Sequence, residues 1–168
     1  MGAREGNSPI LRNLTPEEVC GLFPKLQIGH NYEKTSKANP RYNCVAFANN
    51  DERKWWQAGK NGGAFHWPSN VNDTLDGWVQ LFVDQGYELT SSRDVEPGAE
   101  KVAIYVNLKD LTPSHVAISD GTTWKSKLGR IQDISHATLE LLEGDGENDY
   151  GIVERVLRRA KAGIPGSL

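Results

Sequence analysis

Apolar residues recur with different periods in the two halves of the chain. In the first half the spacing is helical, and the clearest case is the set Leu75, Trp78, Val79, Phe82 and Val83. In the second half, the continuous apolar run at positions 102–106 indicates a buried strand, and positions 115–119, with Val116, Ala117 and Ile118 at their centre, indicate another. Helices followed by an antiparallel sheet predict an α+β domain.

Capping and turn residues set the boundaries of these elements. Thr15 followed by Pro16 and Glu18 predicts a capping box at the start of a short helix. Residues 43–58 are predicted as a second helix, and Asn72 or Asp73 as the cap of a third that closes at Gly86. Ser135 is predicted to cap a short helix through position 142, residues 120–121 a hairpin turn, and residues 150–159 a helix.

Length and charge restrict the class of protein. A chain of 168 residues predicts one domain, which we place at residues 14–168 after a flexible N-terminal tail at residues 1–13. A net charge of −3 gives no reason to expect nucleic acid as a partner. No apolar run approaches the ~20 residues of a membrane span, and no signal-peptide pattern opens the chain. We therefore expect a monomeric, cytoplasmic protein, with leaderless secretion as the alternative.

Cys44 is the first candidate for chemistry. It starts the predicted helix at residues 43–58, where the helix dipole favours an anion and first-turn amides are free to bind an oxyanion. The competing interpretation is a buried structural cysteine, which is the commoner fate of a lone thiol. The other cysteine, Cys20, lies between apolar residues of the first helix, and we expect no disulfide between the two.

His115 is the candidate partner of this thiol. It begins a predicted strand in which Ala117 and Ser119 share its face, so small neighbours leave room beside the imidazole. Alone it is best explained as a core or surface histidine. Paired with Cys44, it becomes a candidate general base.

Two resemblances follow from these residues. The sequence Val95-Glu96-Pro97-Gly98, the strand after it and His115-Val116-Ala117-Ile118 resemble the second half of NlpC-type and CHAP-type amidases. The resemblance implies a papain-like α+β domain with N-terminal helices packed on a small antiparallel sheet. It also implies a cysteine nucleophile at a helix start and a histidine base on the sheet. The helix start here, Asn43-Cys44-Val45, departs from the Asp-Cys-Ser or Asn-Cys-Thr type of these families.

The second resemblance covers most of the chain. It is carried by Tyr42-Asn43-Cys44-Val45-Ala46-Phe47-Ala48, Trp55-Trp56, Glu100-Lys101-Val102-Ala103, Trp124-Lys125-Ser126-Lys127-Leu128-Gly129 and Tyr150-Gly151. These motifs are similar to those of a widespread family of uncharacterised bacterial proteins, and this similarity implies no activity.

The sequence offers four candidates for the third catalytic residue. The resemblance to papain-like enzymes implies a polar group that orients the imidazole. Asp133 is favoured, because a carboxylate holds the tautomer and stabilises an imidazolium. Ser126, Lys125 and His136 are the alternatives.

Aromatic and polar residues near these motifs are candidates for substrate contact. Aromatic surfaces bind sugars and peptides well, although core packing explains adjacent tryptophans equally well. The candidates are Asn43, Trp55, Trp56, Trp124, Ser126 and Lys127. No metal-ligand spacing and no phosphate-binding glycine loop is present, so we expect no metal and no cofactor.

Two hypotheses about function follow. The first is a cysteine-dependent peptidase or amidase that cleaves an amide or isopeptide bond of a peptide-like substrate through a Cys-His acyl-enzyme; acyltransferase and deamidase are adjacent chemistries. The second is a non-catalytic binding or accessory module on the same fold.

Overall fold

A seven-stranded antiparallel sheet forms the body of the protein in the computed structural model, which describes residues 13–27, 29–146 and 148–161. The order of its strands is β1-β8-β7-β6-β5-β9-β4, and β2 and β3 pair separately as a short parallel ribbon. The strands are β1 (Tyr32–Lys34), β2 (Trp55–Trp56), β3 (Phe65–His66), β4 (Glu88–Thr90), β5 (Ala99–Val106), β6 (Pro113–Ser119), β7 (Trp124–Lys127), β8 (Asp133–His136) and β9 (Ile152–Ala160).

Helices are few and short in the described part of the chain. They are α1 (Pro16–Leu22), α2 (Cys44–Ala48), α3 (Leu75–Val83) and a 3₁₀ turn at Leu139–Leu142. The predicted capping box of α1 is confirmed, with Thr15 and Glu18 bonded to each other's backbone amides. The cap of α3 is Thr74 rather than Asn72 or Asp73, because the Thr74 hydroxyl accepts from the amide of Gly77. The predicted tail at residues 1–13 falls, except for Asn13, outside the described residues.

The expectation of a papain-like domain with helices on a small sheet is wrong. The described chain is dominated by the large antiparallel sheet, and three predicted helical segments are shorter or absent. The helix expected at residues 43–58 ends at Ala48, because Asn50 adopts a left-handed φ of 59° and the amide of Asp51 turns back to the carbonyl of Ala46. The segment expected as a helix at residues 150–159 is strand β9, which pairs with β5 and β4.

The strands predicted from apolar runs are confirmed within β5 and β6. Ser135 lies within β8 and does not start a helix. No helix among the described residues is long and apolar enough to cross a membrane.

Two hydrophobic cores cover the two faces of the sheet. The first core contains Tyr105, Ala117, Trp124, Ile134 and Tyr150, and α1 packs against it. The second core contains Cys44, Val116, Val102, Ile104 and Trp78, and it lies between the sheet and helices α2 and α3. Neighbouring residues of β6 therefore point into different cores, as the period of a strand requires.

Strands β6 and β7 separate along part of their length, and this separation positions the candidate site. Within these two strands, Ile118 pairs with Lys125 and Ser119 with Trp124, while the first five residues of β6 have no partner on β7. The other edge of β6 stays paired with β5 through His115 and Val116. Helix α2 packs against β6 and β7 where they diverge.

Candidate functional site

Asn43 fixes the helix start that carries Cys44. Its side-chain oxygen accepts from the amide of Ala46 at 3.1 Å and from the amide of Trp56 at 3.3 Å, while its amide group donates to the carbonyl of Trp56 at 2.7 Å. One fully buried side chain thus caps α2 and joins it to β2. Asn43 is expected from the sequence as a substrate contact, but in the structure its side chain is buried and holds the start of the helix that carries Cys44.

The sulfur of Cys44 lies at the separation of β6 and β7. Cys44 is 1% exposed, and burial raises the pKa of its thiol. The amide N–H groups of Val116 and Val45 act on the sulfur as weak donors and lower that pKa, but burial is the larger effect. The resting thiol is therefore protonated near neutral pH.

His115 is fully buried on the other face of β6. Its ring stacks on Tyr150 at a centroid distance of 4.0 Å and an interplanar angle of 4°, and Tyr105 packs edge-on at 5.2 Å. Its Nδ1 is buried and has no hydrogen-bond partner in the described part of the chain. Burial, and then the proximity of His136, hold the pKa of His115 well below its usual range, so the imidazole is neutral.

Cys44 and His115 approach one peptide group from two sides. The amide nitrogen of Val116, which acts on the Cys44 sulfur, is bonded to the carbonyl carbon of His115. This N–H is directed at the sulfur and therefore not at β5. It lies on the edge of β6 from which β7 has separated. The thiol thus lies against the backbone of β6 beside His115, while the imidazole projects from the opposite face of the sheet.

Ser126 is the group that contacts His115. Its Oγ lies 2.9 Å from His115 Nε2 and 2.8 Å from His136 Nε2, and His136 Nδ1 lies 3.0 Å from the carbonyl oxygen of Thr138. All three side chains are buried. The bond from His115 to Ser126 spans the gap between β6 and β7 and takes the place of the missing backbone pairing.

Asp133, favoured from sequence as the orienting residue, faces the other way. It pairs with Lys127 across β7 and β8, and its carboxylate accepts from the hydroxyl of Thr35 at 2.9 Å and that of Tyr42 at 3.4 Å. Ser126 and His136 point to the opposite face of the sheet, toward His115. The structure therefore places Ser126, rather than Asp133, against the imidazole.

Lys127 is buried on the Cys44 side of the sheet. Its Nζ donates to the carbonyl oxygens of Asn39 at 2.8 Å, Gly129 at 2.6 Å and Ile131 at 2.6 Å. Burial lowers the pKa of Lys127 to about 7, while Asp133 and Cys44 raise it. Three carbonyl acceptors match the three donors of an ammonium, so the charged form fits this site and ties the segment before α2 to β7 and β8.

The three tryptophans expected at a substrate cleft have different surroundings. Trp124 lies in the first core, 1% exposed, and its Nε1 donates to the carbonyl of Arg93 at 3.2 Å. Trp55 is also buried, beneath the guanidinium of Arg130. Trp56 is half-buried and donates to the carboxylate of Asp51 at 2.9 Å. Of these rings, Trp56 is the one with a surface open to a ligand.

Both cysteines are free thiols. Among the residues that the structure describes, no group of three histidine, cysteine or carboxylate side chains is arranged to hold a metal ion.

The burial of Cys44 predicts slow alkylation. At pH 7.5 we expect iodoacetamide to modify the native Cys44 at least ~10-fold more slowly than the half-buried Cys20, because the thiolate is the reacting form and access is restricted. Peptide mass spectrometry over time distinguishes the two sites. In urea the two rates are expected to become similar, and a faster Cys44 in the native protein would contradict the protonated, shielded thiol.

The chain belongs to a family described as a domain of unknown function, DUF7689, whose model matches residues 33–158. The match includes Cys44, His115, Ser126 and His136. Comparisons with curated proteins and with solved structures find no match.

Proposed function

We propose that the protein is a cysteine-dependent acyl-transfer enzyme, a hydrolase of an amide or isopeptide bond in a peptide-like substrate, with Cys44 as nucleophile and His115 as base. One observation carries the proposal. The Cys44 sulfur faces the peptide group shared by His115 and Val116, and the buried Nδ1 of that histidine has no partner in the segments that the structure describes.

The mechanism starts from a neutral thiol and a neutral imidazole. As the sulfur attacks the carbonyl carbon, the thiol proton passes to Nδ1 of His115, and a tetrahedral oxyanion forms. The amide of Cys44, at a helix start where N–H groups lack intrahelical partners, is suited to bind that oxyanion. The C–N bond then breaks, the imidazolium returns the proton to the amine, and water or a second amine cleaves the thioester.

The mechanism requires access to a sulfur that is 1% exposed. We therefore propose that the described conformation is a closed resting state and that substrate binding opens it. A neutral Cys-His pair that reacts only after opening protects the thiol from unspecific oxidation and alkylation.

The test is capture of an acyl-enzyme from 4-nitrophenyl acetate. Intact and peptide mass spectrometry should place acetyl on Cys44, and His115→Gln should slow its formation about 100-fold, within the usual range for loss of a general base. Alkylation by iodoacetamide should change less than ~3-fold in the same variant, because a neutral imidazole does not generate thiolate. His30→Gln, at an exposed position, is the control and should react like the wild type.

A non-catalytic binding module is the second candidate, and the full burial of both Cys44 and His115 favours it. A buried thiol with a raised pKa is typical of an inert structural cysteine. Under this alternative, acetyl is absent from Cys44 or forms at the same rate in His115→Gln, and either result would overturn the enzyme proposal.

A further inference from the structure

Three hydrogen bonds connect His115 to the backbone through Ser126 and His136. The chain runs from His115 Nε2 to Ser126 Oγ, then to His136 Nε2, and from His136 Nδ1 to the carbonyl oxygen of Thr138. Every side chain in it is at most 1% exposed, so within the described structure the bonds are shielded from water.

The final acceptor fixes the direction of every bond. A carbonyl oxygen only accepts, so Nδ1 of His136 must carry a proton, and the neutral ring leaves Nε2 as an acceptor. The Ser126 hydroxyl then donates to His136, and its oxygen accepts from Nε2–H of His115. The remaining nitrogen of His115, Nδ1, is left with a free lone pair, and this is the nitrogen that has no partner among the described residues.

We propose that His136 is a positioning residue, which acts through Ser126 to hold His115 as the Nε2–H tautomer with Nδ1 ready to accept a proton. The consequence for catalysis rests on the proposed function, whereas the tautomer does not. In that reaction His136 touches neither substrate nor thiol; it determines which nitrogen of His115 is the base.

The packing around His115 supports the proposal that this histidine is held in one tautomer. Tyr105 and Tyr150 enclose the ring on an edge and a face and fix its orientation. A buried nitrogen without a partner costs free energy, and an apolar side chain of similar shape avoids that cost. The arrangement is therefore unfavourable for packing alone and suited to a base that receives a proton during a reaction.

The test is the tautomer of His115 measured by long-range ¹H–¹⁵N correlation on uniformly labelled protein at pH 7. In the wild type we expect a protonated Nε2 and an unprotonated Nδ1. His136→Phe removes the acceptor for Ser126, whose hydroxyl then donates to Nε2 of His115, so the proton is expected to move to Nδ1. His136→Gln supplies an amide oxygen as a replacement acceptor and should restore the original tautomer.

Two further variants keep the test decisive. Ser126→Ala should give a mixture of both tautomers even if His136→Phe fails to fold. Ser135→Ala, on the same strand but the opposite face, should leave the tautomer unchanged. An Nδ1–H tautomer in the wild type, or an unchanged tautomer in both His136→Phe and Ser126→Ala, would overturn the proposal.

Acylation of Cys44 separates this proposal from the proposed function. If His115 is the base, His136→Phe should slow acetylation by 4-nitrophenyl acetate at least ~10-fold, and His136→Gln should recover most of the rate. If the tautomers respond as expected but Cys44 is never acetylated, the positioning role stands and the proposed function fails.

Discussion

Gly151→Ala is expected to destabilise the fold by about 4 kcal/mol or more, which is among the largest effects of single substitutions. Gly151 has a φ of 86°, in the left-handed region that disfavours a side chain, and a Cβ there would collide with the carbonyl oxygen of Val106. It also directly follows Tyr150, whose ring stacks on His115. Urea unfolding followed by fluorescence gives the free energy of unfolding.

Gly98→Ala is the matched control for this prediction. Gly98 has nearly the same φ, 84°, but no atom of the described residues lies within 4 Å of the position where its Cβ would stand. Only the conformational cost of a left-handed residue applies, about 1–2 kcal/mol. Equal losses in the two variants would show that the collision with Val106 is not what makes Gly151 necessary.

Acid is expected to weaken the protein by about 4 kcal/mol between pH 7 and pH 5. Burial lowers the pKa of His136 to about 4 and that of His115 well below its usual value, whereas both have a pKa of about 6.5 when unfolded. Below pH 6.5 these two histidines therefore bind protons in the unfolded chain but not in the folded chain. Stability is complete above that pH and is lost as the pH falls, by about 2 kcal/mol per histidine at pH 5.

Urea unfolding at pH 7 and at pH 5 measures this loss. His136→Gln removes one of the two groups and should reduce the loss between the two pH values by about 2 kcal/mol, whatever its effect at pH 7. His30→Gln should keep the full loss. If the wild type is equally stable at both pH values, the two imidazoles are not held neutral in the folded state.

The strands of the central sheet could be predicted where the sequence keeps a strand pattern. Positions 102–106 form a continuous apolar run and positions 115–119 contain the apolar residues Val116, Ala117 and Ile118, and both segments lie in strands. Strand β9 is predicted as a helix from the sequence, and the reason is local. Glu154 is an extra residue in its pairing with β5, because Ile104 faces Arg155 and Tyr105 faces Val153. This bulge breaks the alternation of two, so the apolar residues of β9 take on helical spacing.

The candidate site could be predicted in part, and the remainder depends on which face of the sheet each residue occupies. Cys44 lies at a helix start, as the sequence indicated, and the structure adds that the side chain of Asn43 caps this helix. The choice between Ser126 and Asp133 depends on strand register, because a shift of one residue turns a side chain to the other face. The register that pairs Asp133 with Lys127 comes from long-range contacts that no local pattern contains.

His136 illustrates the same limit. No recognisable sequence motif links His136 to His115. Only the pairing of β7 with β8 brings His136 beside Ser126. The one feature of the sequence that could have indicated the contact is polarity. A serine and a histidine that are both buried on neighbouring strands need hydrogen-bond partners, and each can supply one to the other.

The most direct test of the Cys44-His115 pair is the separation between Cys44 Sγ and His115 Nδ1 in a crystal structure of the unmodified protein. We predict a separation within about 5 Å, the loose range expected for a resting nucleophile and its base, which requires the two side chains to meet through the gap between β6 and β7. A separation above about 7 Å, with the sheet closed between the two side chains, would contradict it.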